Sequence, residues 1–286
     1  MNCDSARAGK APARLQASIA VSLDGSDWVL VNATTDVRRQ LEQLPSPSGN
    51  ALRATPVSVV LLTDANIDHA AGLLEFRQAQ ALQICSSAVV RDTLVGRNSM
   101  FAPLALGERT WSVFEANGKS VDLPVIIPGL RVTAIDVPGL LPSFAGAAEL
   151  PGAATAFCFE APIGRRFTRM LYAPIFLRTN HALLEAADEC EAVFLDGSFW
   201  SDRELSSLGL GTRSAREMGH APMGGDDGWL RAMAGRGVDA GPHRYCTHVN
   251  NSNPVLDVSS SAARELHDAK FSVAVDGTEI VLDAGR

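Results

Sequence analysis

The chain predicts a mixed fold of strands and helices, α/β or α+β, built as one domain over residues 17–286. Three observations carry that expectation. Val57-Ser58-Val59-Val60-Leu61-Leu62 is a continuous apolar run with the length and β-branched content of a buried strand. It gives way to a short polar stretch and then to the apolar, helix-like Ala70-Ala71-Gly72-Leu73-Leu74. Two later runs, Ala192-Val193-Phe194-Leu195 and Arg244-Tyr245-Cys246-Thr247, also read as strands and end in Asp196-Gly197 and in His248. With 286 residues, 46% of them hydrophobic, the chain can bury one large core. It shows no internal repeat and no domain boundary.

Taken in order, residues 1–16 read as an unanchored, disordered or extended tail. Ser18 to Ser22 and Trp28 to Ala33 are two strands joined by the turn Asp24-Gly25-Ser26-Asp27. Asp36 to Gln43 is a short helix, and Leu44 to Asn50 a Pro- and Ser-rich loop. After the Val57 strand, Ala81 to Ile84 is a strand and Ser86 to Leu94 a helix with serine near its start. Residues 97–110 carry no assignable pattern. Arg131 to Val137, Ala154 to Glu160 and Arg169 to Ala173 are strands. The Gly-, Ala- and Pro-rich stretch from Gly139 to Gly152 crosses the surface. Asn180 caps a helix over His181 to Ala187. Residues 198–226 form a long polar loop or lid. Asp226 to Ala234 is a helix, His243 to His248 a strand, Ser260 to Lys270 a helix. Phe271 to Val275 and Ile280 to Leu282 close the chain as a strand pair around Asp276-Gly277.

Composition narrows the partners. The net charge is -7, and no Lys/Arg cluster is dense enough for a nucleic-acid face. No apolar run approaches the roughly 20 residues that span a bilayer. The N-terminal ten residues lack the apolar core of a secretory signal, so a cytoplasmic protein is expected. The five cysteines, Cys3, Cys85, Cys158, Cys190 and Cys246, are scattered and form no Cys-x-x-Cys pair. They read as isolated reduced thiols.

The polar stretch after the Val57 strand offers Asp64, Asn66, Asp68 and His69 within six residues. A loop between a strand end and a helix is where α/β proteins place their chemistry. Adjacent Asp and His can aim a carboxylate oxygen and an imidazole nitrogen at one metal ion. The same residues also suit a solvated turn in which Asp64 and Asn66 cap the next helix. Asp196 and His248 stand at the ends of their own strands. If the three strands share an edge, Asp68, His69, Asp196 and His248 converge there.

The order of these pieces resembles the metallo-β-lactamase superfamily, and within it the PqqB family of pyrroloquinoline quinone biosynthesis. The resemblance runs along most of the chain. It is carried by Gln16-Ala17-Ser18-Ile19-Ala20-Val21-Ser22, Ile67-Asp68-His69 with Gly72-Leu73-Leu74, Tyr172-Ala173-Pro174 and Leu195-Asp196-Gly197. Gly211-Thr212-Arg213 with Met218-Gly219-His220, and His248-Val249-Asn250-Asn251-Ser252-Asn253-Pro254, complete it. It implies a four-layer αββα sandwich lacking the first strand. The family's Cys-x-Cys-x-x-Cys cluster is matched only by Cys3, so no structural zinc is expected. The family's His- and Pro-rich segment is replaced by Leu141 to Gly152 without histidine, which implies a diverged substrate.

Carried over position by position, the resemblance keeps one metal's ligands: Asp68, His69, Asp196 and His248. The superfamily loop's first two histidines are Asp64 and Asn66 here, and no His lies between His69 and His181. One divalent ion per chain is therefore expected, with Fe(II) favoured and zinc the alternative. Asp64, Asn66, Asn250, Asn251 and Asn253 are expected to support the ligands from behind. Arg213 and Arg216 are expected to take a substrate carboxylate, and His220 a phenol. Two histidines with one or two carboxylates suit a non-haem Fe(II) oxygenase. The resemblance implies O₂-dependent hydroxylation of a tyrosine-type ring in a small peptide. A zinc hydrolase, or a non-catalytic carrier of the quinone cofactor or its precursor, is the alternative. The substrate partner is a small molecule or dipeptide, and a homodimer is possible through an uncovered sheet edge.

Overall fold

A computed structural model of the chain describes residues 2–45, 55–78, 82–97, 99–105, 110–116, 120–124, 127–236 and 243–282. Twelve strands among these residues form two sheets. The first holds β1 (Ile19–Val21), β2 (Trp28–Val31), β3 (Val57–Leu61), β4 (Gln83–Ser87) and β5 (Thr110–Phe114), in that spatial order. The second holds β6 (Ser120–Leu123), β7 (Arg131–Val137), β8 (Ala154–Ile163), β9 (Arg166–Ala173), β10 (Ala192–Asp196), β11 (His243–Thr247) and β12 (Ser272–Val273), ordered β12-β11-β10-β9-β8-β7-β6. Strands β2 to β5 run parallel, as do β9 to β12. The hairpins β1–β2 and β6 to β9 are antiparallel.

The strand sequences dictate the layers. Successive side chains of a strand point to opposite faces. Val59 and Leu61 enter the core between the sheets, together with Val132, Phe157 and Phe194. Val57, Val60 and Leu62 face the other way and bury against Val37, Leu73, Phe76 and Val90. On the second sheet, Leu171, Val193, Leu195 and Cys246 point outward to Leu183, Trp229, Leu266 and Phe271. Both faces of the central strands are thus covered, which explains runs that are apolar throughout rather than alternating. The order helix, sheet, sheet, helix is the four-layer αββα sandwich.

The helices are short: α1 (Asn2–Arg7), α2 (Val37–Leu41), α3 (Ile67–Ala70), α4 (Ala88–Arg91), α5 (His181–Asp188), α6 (Glu204–Ser207), α7 (Trp229–Ala232) and α8 (Ser261–Asp268). Three have side-chain caps: Ser87 Oγ accepts from Val90 N, Asn180 Oδ1 from Leu183 N, and Ser260 Oγ from Ala263 N. Asp36 does not cap α2; its carboxylate accepts from Gln16 N at 2.9 Å instead.

Several sequence expectations are corrected. Where residues 1–16 are expected to be an unanchored tail, the described residues 2–16 are not one. They begin with α1, and Asn2 Nδ2 donates to the carbonyls of Asn251 and Asn253 at 2.8 and 3.0 Å. Leu15 N donates to Asp276 at 2.7 Å. The closing strand pair is absent among the described residues: β12 pairs in parallel with β11, and residues 280–282 form no strand. The helix expected over Asp226 to Ala234 is only the single turn α7, because Gly225 takes φ +81° and Asp226 to Gly228 are turn and bend. Strands β5 and β6 had no sequence signal that separated them from loop, since half-exposed residues dominate them. Most of the loop expected over Leu44 to Asn50, and Ala81 of the next strand, lie outside the described residues. The cysteines are free, with Cys158 Sγ and Cys190 Sγ 3.8 Å apart.

Candidate metal centre

Parallel strands β3, β10 and β11 all deliver their C-terminal ends to one side of the sandwich, where α/β folds gather ligands. Thr63 N, just past β3, donates to Asn32 Oδ1 at 3.0 Å, while Asn32 itself takes the left-handed φ of +64°. Thr155 N then donates to Thr63 O at 2.8 Å and ties the loop to β8 across the sandwich. Behind it, Gly72 lies against β2's exit. A Cβ there would stand 2.0 Å from the carbonyl oxygen of Thr34, so only glycine lets α3 and the turn after it pack this closely.

Within that loop Asp64 is buried and holds His69 from behind. Its Oδ2 accepts from His69 Nδ1 at 2.5 Å and from Thr63 Oγ1 at 2.7 Å, and its Oδ1 accepts from Asn66 N at 2.8 Å. Burial raises the Asp64 carboxyl; His69 and these donors more than reverse that and hold it below the usual range. With Nδ1 engaged, His69 presents Nε2, which is buried and has no hydrogen-bond partner. That nitrogen lies 3.9 Å from Asp68 Oδ2, and His248 Nε2 lies 3.5 Å from the same oxygen. Three ligand atoms therefore converge: one carboxylate oxygen and two imidazole nitrogens. Bonds of about 2.0–2.2 Å to one ion need ligand atoms roughly 3–3.5 Å apart, so a slight closure would seat a first-row metal. A buried, orphaned imidazole nitrogen aimed at a carboxylate fits a metal ligand, because leaving it bare carries a desolvation cost.

The expected four-ligand set divides. Asp196 does not join Asp68 and His69; it forms a second group with His220 and His248. Its two oxygens are already engaged. Oδ1 accepts from Ser198 N at 2.9 Å and from Ser198 Oγ at 2.6 Å, and Oδ2 accepts from His220 Nδ1 at 2.7 Å. Asp196 is fully buried at the end of β10, and Gly197 then turns the chain. A Cβ on Gly197 would sit 2.7 Å from Thr247 O, so the glycine lets β10 and β11 end side by side.

His248 is shared by both groups. Its backbone takes φ +57°, a region that non-glycine residues enter at a cost of about 1–3 kcal/mol, held where surrounding structure demands it. Its Nδ1 lies 2.8 Å from Ser198 Oγ. Burial pushes the His248 imidazole down, but the Asp196 and Asp68 carboxylates outweigh it and raise it to about 10 in the metal-free chain. The His248 ring lies tilted 4.7 Å from His69 and 5.2 Å from His220 between ring centres.

The supporting asparagines divide as well. Asn253 is buried; its Nδ2 donates to Gly197 O at 2.7 Å and locks the two site loops together. Asn250 bonds Ser252 Oγ, and Asn251 bonds Cys3 Sγ, so both brace the loop after His248 rather than a ligand. Asn66 makes no side-chain cap; its carbonyl accepts from the His69 and Ala70 amides of α3. Arg213 and Arg216 correct the expectation of a carboxylate clamp. Arg213 bonds Glu217 O and Ser143, Arg216 reaches Leu177 O and Asp227 O, and neither borders the groove that holds Asp68, His220 and His248. Arg213 ties the long loop to itself at Glu217, and both arginines tie it to neighbouring segments. His220, by contrast, comes into the site. Sequence reading missed Ser198, although a serine two residues past a strand-ending Asp is the spacing that lets a hydroxyl and an amide both cap that carboxylate.

An αββα sandwich with Asp and His at the parallel strand ends is a metallo-β-lactamase-type fold. The profile of the "Beta-lactamase superfamily domain" matches residues 27–246. The coenzyme PQQ synthesis protein B of Pseudomonas syringae pathovar syringae is 34% identical, over 99% of this chain and 93% of that protein. That of Xanthomonas euvesicatoria is 35% identical over 94% and 88%. The Zn(2+)-bound crystal structure of PqqB from Methylobacterium extorquens superposes with a TM-score of 0.86 at 30% identity, covering 98% of this chain and 93% of that one. The chain belongs to the PqqB family of the β-lactamase superfamily. No helix among the described residues is long and apolar enough to cross a membrane.

Proposed function

We propose that this chain takes part in pyrroloquinoline quinone biosynthesis as a mononuclear, O₂-dependent hydroxylase of a tyrosine-type ring. The observation that carries the reading is the convergence of Asp68 Oδ2 with two imidazole Nε2 atoms, one of them buried and orphaned. Two histidines and one carboxylate with open positions is the ligand type of Fe(II) oxygenases. Fe(II) bound there would supply O₂ activation. The chain's own residues do the rest. Asp64 holds His69 by Nδ1 so that Nε2 faces the ion. Asp68, at the mouth of the groove, completes the triad. His220, fixed by Asp196 and bordering the same groove, receives the phenol hydroxyl of the substrate. Inserting one oxygen atom sends the other to water and draws two electrons and two protons from a reductant.

Zinc in the same triad would instead favour activation of water, and the zinc in the Methylobacterium extorquens relative is the observation on that side. Anaerobic purification, metal analysis and oxygen uptake with a tyrosine-containing dipeptide decide between them. The expected result is one ion per chain, oxygen uptake with Fe(II) and an added reductant, and loss of both metal and uptake in His248→Ala. Two tightly held zinc ions and hydrolysis without oxygen would remove the hydroxylase reading.

A further inference from the structure

Two of the five cysteines meet at the end of the second sheet away from the metal centre. Cys158 lies mid-strand in β8, paired with Thr133 of β7 and Leu171 of β9. Cys190 follows α5 in the connector to β10, 32 positions further along the chain. Asp196 closes that strand, so Cys190 and the metal centre stand roughly 15–20 Å apart at the rise of a strand. The two sulfurs are 3.8 Å apart, in the apolar layer that packs α5 on the sheet. A firm frame holds both. Glu191 N donates to Arg169 O at 3.0 Å, and Glu191 Oε2 accepts from Arg169 N at 2.6 Å, which laces the connector to β9. The Arg169 guanidinium bonds Glu160 Oε2 at 2.7 Å and Glu189 Oε2 at 3.2 Å, which adds β8 to the same lacing. A disulfide needs its sulfurs about 2.05 Å apart, and the difference is within the swing of the two side chains.

The two thiols are unequal. Cys190 is buried, whereas Cys158 is half-buried. The Cys190 thiol donates to the Cys158 sulfur, and with the Arg169 guanidinium this holds Cys158 below the ordinary thiol range, against burial and the nearby Glu160 and Glu189 carboxylates. The same contact, with burial, raises Cys190. Cys85 and Cys246 are fully buried, and burial pushes both up to about 12, so they stay protonated. We infer that Cys158 and Cys190 form a dithiol modification site that takes a small-molecule disulfide, with Cys158 the attacking sulfur and Cys190 the resolving one. The Cys158 thiolate attacks one sulfur of the disulfide RS–SR and breaks its S–S bond. The expelled RS⁻ takes up the proton that Cys158 gave up. Cys190 then gives up its proton as its sulfur attacks Cys158 in the mixed disulfide, and the second RS⁻ leaves with that proton. The protein is oxidised by two electrons to the Cys158–Cys190 disulfide, and RS–SR is reduced to two RSH. The resolving step is intramolecular between sulfurs already held face to face, which favours it over release of the mixed disulfide. Its product clips β8 to the turn between α5 and β10.

The test uses the full chain, with oxidised glutathione as the probe. Folded, reduced protein is incubated with it, quenched in acid, unfolded, alkylated and mapped by peptide mass spectrometry. The expected product is lighter by two hydrogens, has Cys158 joined to Cys190, and leaves Cys3, Cys85 and Cys246 to be alkylated. The bond should form roughly 10-fold faster, or more, in the folded chain than in urea, because only the fold brings the two sulfurs together. Cys190→Ser should stop at a glutathione adduct on Cys158, and Cys158→Ser should leave Cys190 unmodified. Circular dichroism checks both variants; if either fails to fold, the wild-type map and the comparison with urea decide alone. Amide exchange over residues 181–191 should slow in the oxidised chain and recover with dithiothreitol. A wild-type chain that ends as a mixed disulfide, on Cys158 or on the half-buried Cys3, overturns the proposal. So does a Cys158–Cys190 bond that forms no faster in the folded chain than in the unfolded one.

Discussion

At the scale of single residues, the site is a set of imidazoles whose unused nitrogens have been assigned by carboxylates. Asp64 illustrates the consequence. Replacing it with Asn keeps the shape but weakens the bond to His69 Nδ1. Asp64→Asn should lower metal affinity by about 10–100-fold with the fold retained, as read by chelator competition and circular dichroism. His248 sets a pH dependence. Its folded-state value is raised to about 10 from an ordinary 6.5, so the metal-free folded chain binds the proton more tightly than the unfolded chain. A raised value contributes stability that is complete below about pH 6.5 and is lost as pH climbs towards 10. The urea midpoint of metal-free wild type should therefore fall between pH 7 and 10 relative to His248→Ala. Metal affinity should move the other way over the same window, because a ligating imidazole must give up that proton. A flat metal affinity from pH 7 to 9 would place His248 outside the ligand set.

At the scale of elements, the strand ends position the chemistry and small residues let them meet. Gly197→Ala would drive a methyl to 2.7 Å from Thr247 O and 2.8 Å from Val249 Cγ2. The loops carrying Ser198 and His248 would have to part. A loss of about 1–3 kcal/mol is expected from urea unfolding, as for other overpacked sites, with metal affinity falling alongside. In the inter-sheet layer, Phe157 on β8 is fully buried and packs with the cluster that joins the two sheets. Phe157→Ala should cost about 3–5 kcal/mol by the same measurement. Phe157 offers no ligand atom, so the metal affinity of the folded fraction should be preserved, which separates scaffold from site.

At the scale of the whole molecule, the N-terminal segment is part of the architecture around the site. Asn2 Nδ2 bonds the carbonyls of Asn251 and Asn253, and Asn251 Nδ2 reaches Cys3 Sγ at 3.0 Å. The loop after His248 is thereby held from outside as Asn253 holds it from inside. Asn2→Ala should speed amide exchange across residues 248–253 and leave the β7–β8–β9 core unchanged, as read by hydrogen-exchange mass spectrometry. Unaltered exchange in that loop would show that α1 does not brace it.

The strands β3, β8 and β10 were legible in the sequence because each is a largely apolar run bounded by polar residues, whereas β7 and β11 are mixed and were read from their β-branched and aromatic residues. The capped helices α5 and α8 were legible too, since Asn180 and Ser260 mark their starts locally. Asp68, His69 and His248 were readable as candidates because each follows a buried strand, and the family order reinforced them. Strands β5 and β6 were not readable, since half-exposed residues carry weak periodicity. Nor was the anchoring of α1, which depends on loop carbonyls about 250 residues away. Ligand candidates along a chain carry no direction. Only the tertiary structure decided that Asp196 turns to Ser198 and His220, that Arg213 and Arg216 brace their own loop, and that His220 enters the site. The reason is physical: a side chain's role depends on which donors and acceptors burial brings within hydrogen-bond reach, and those partners lie on strands that meet only in the folded sandwich.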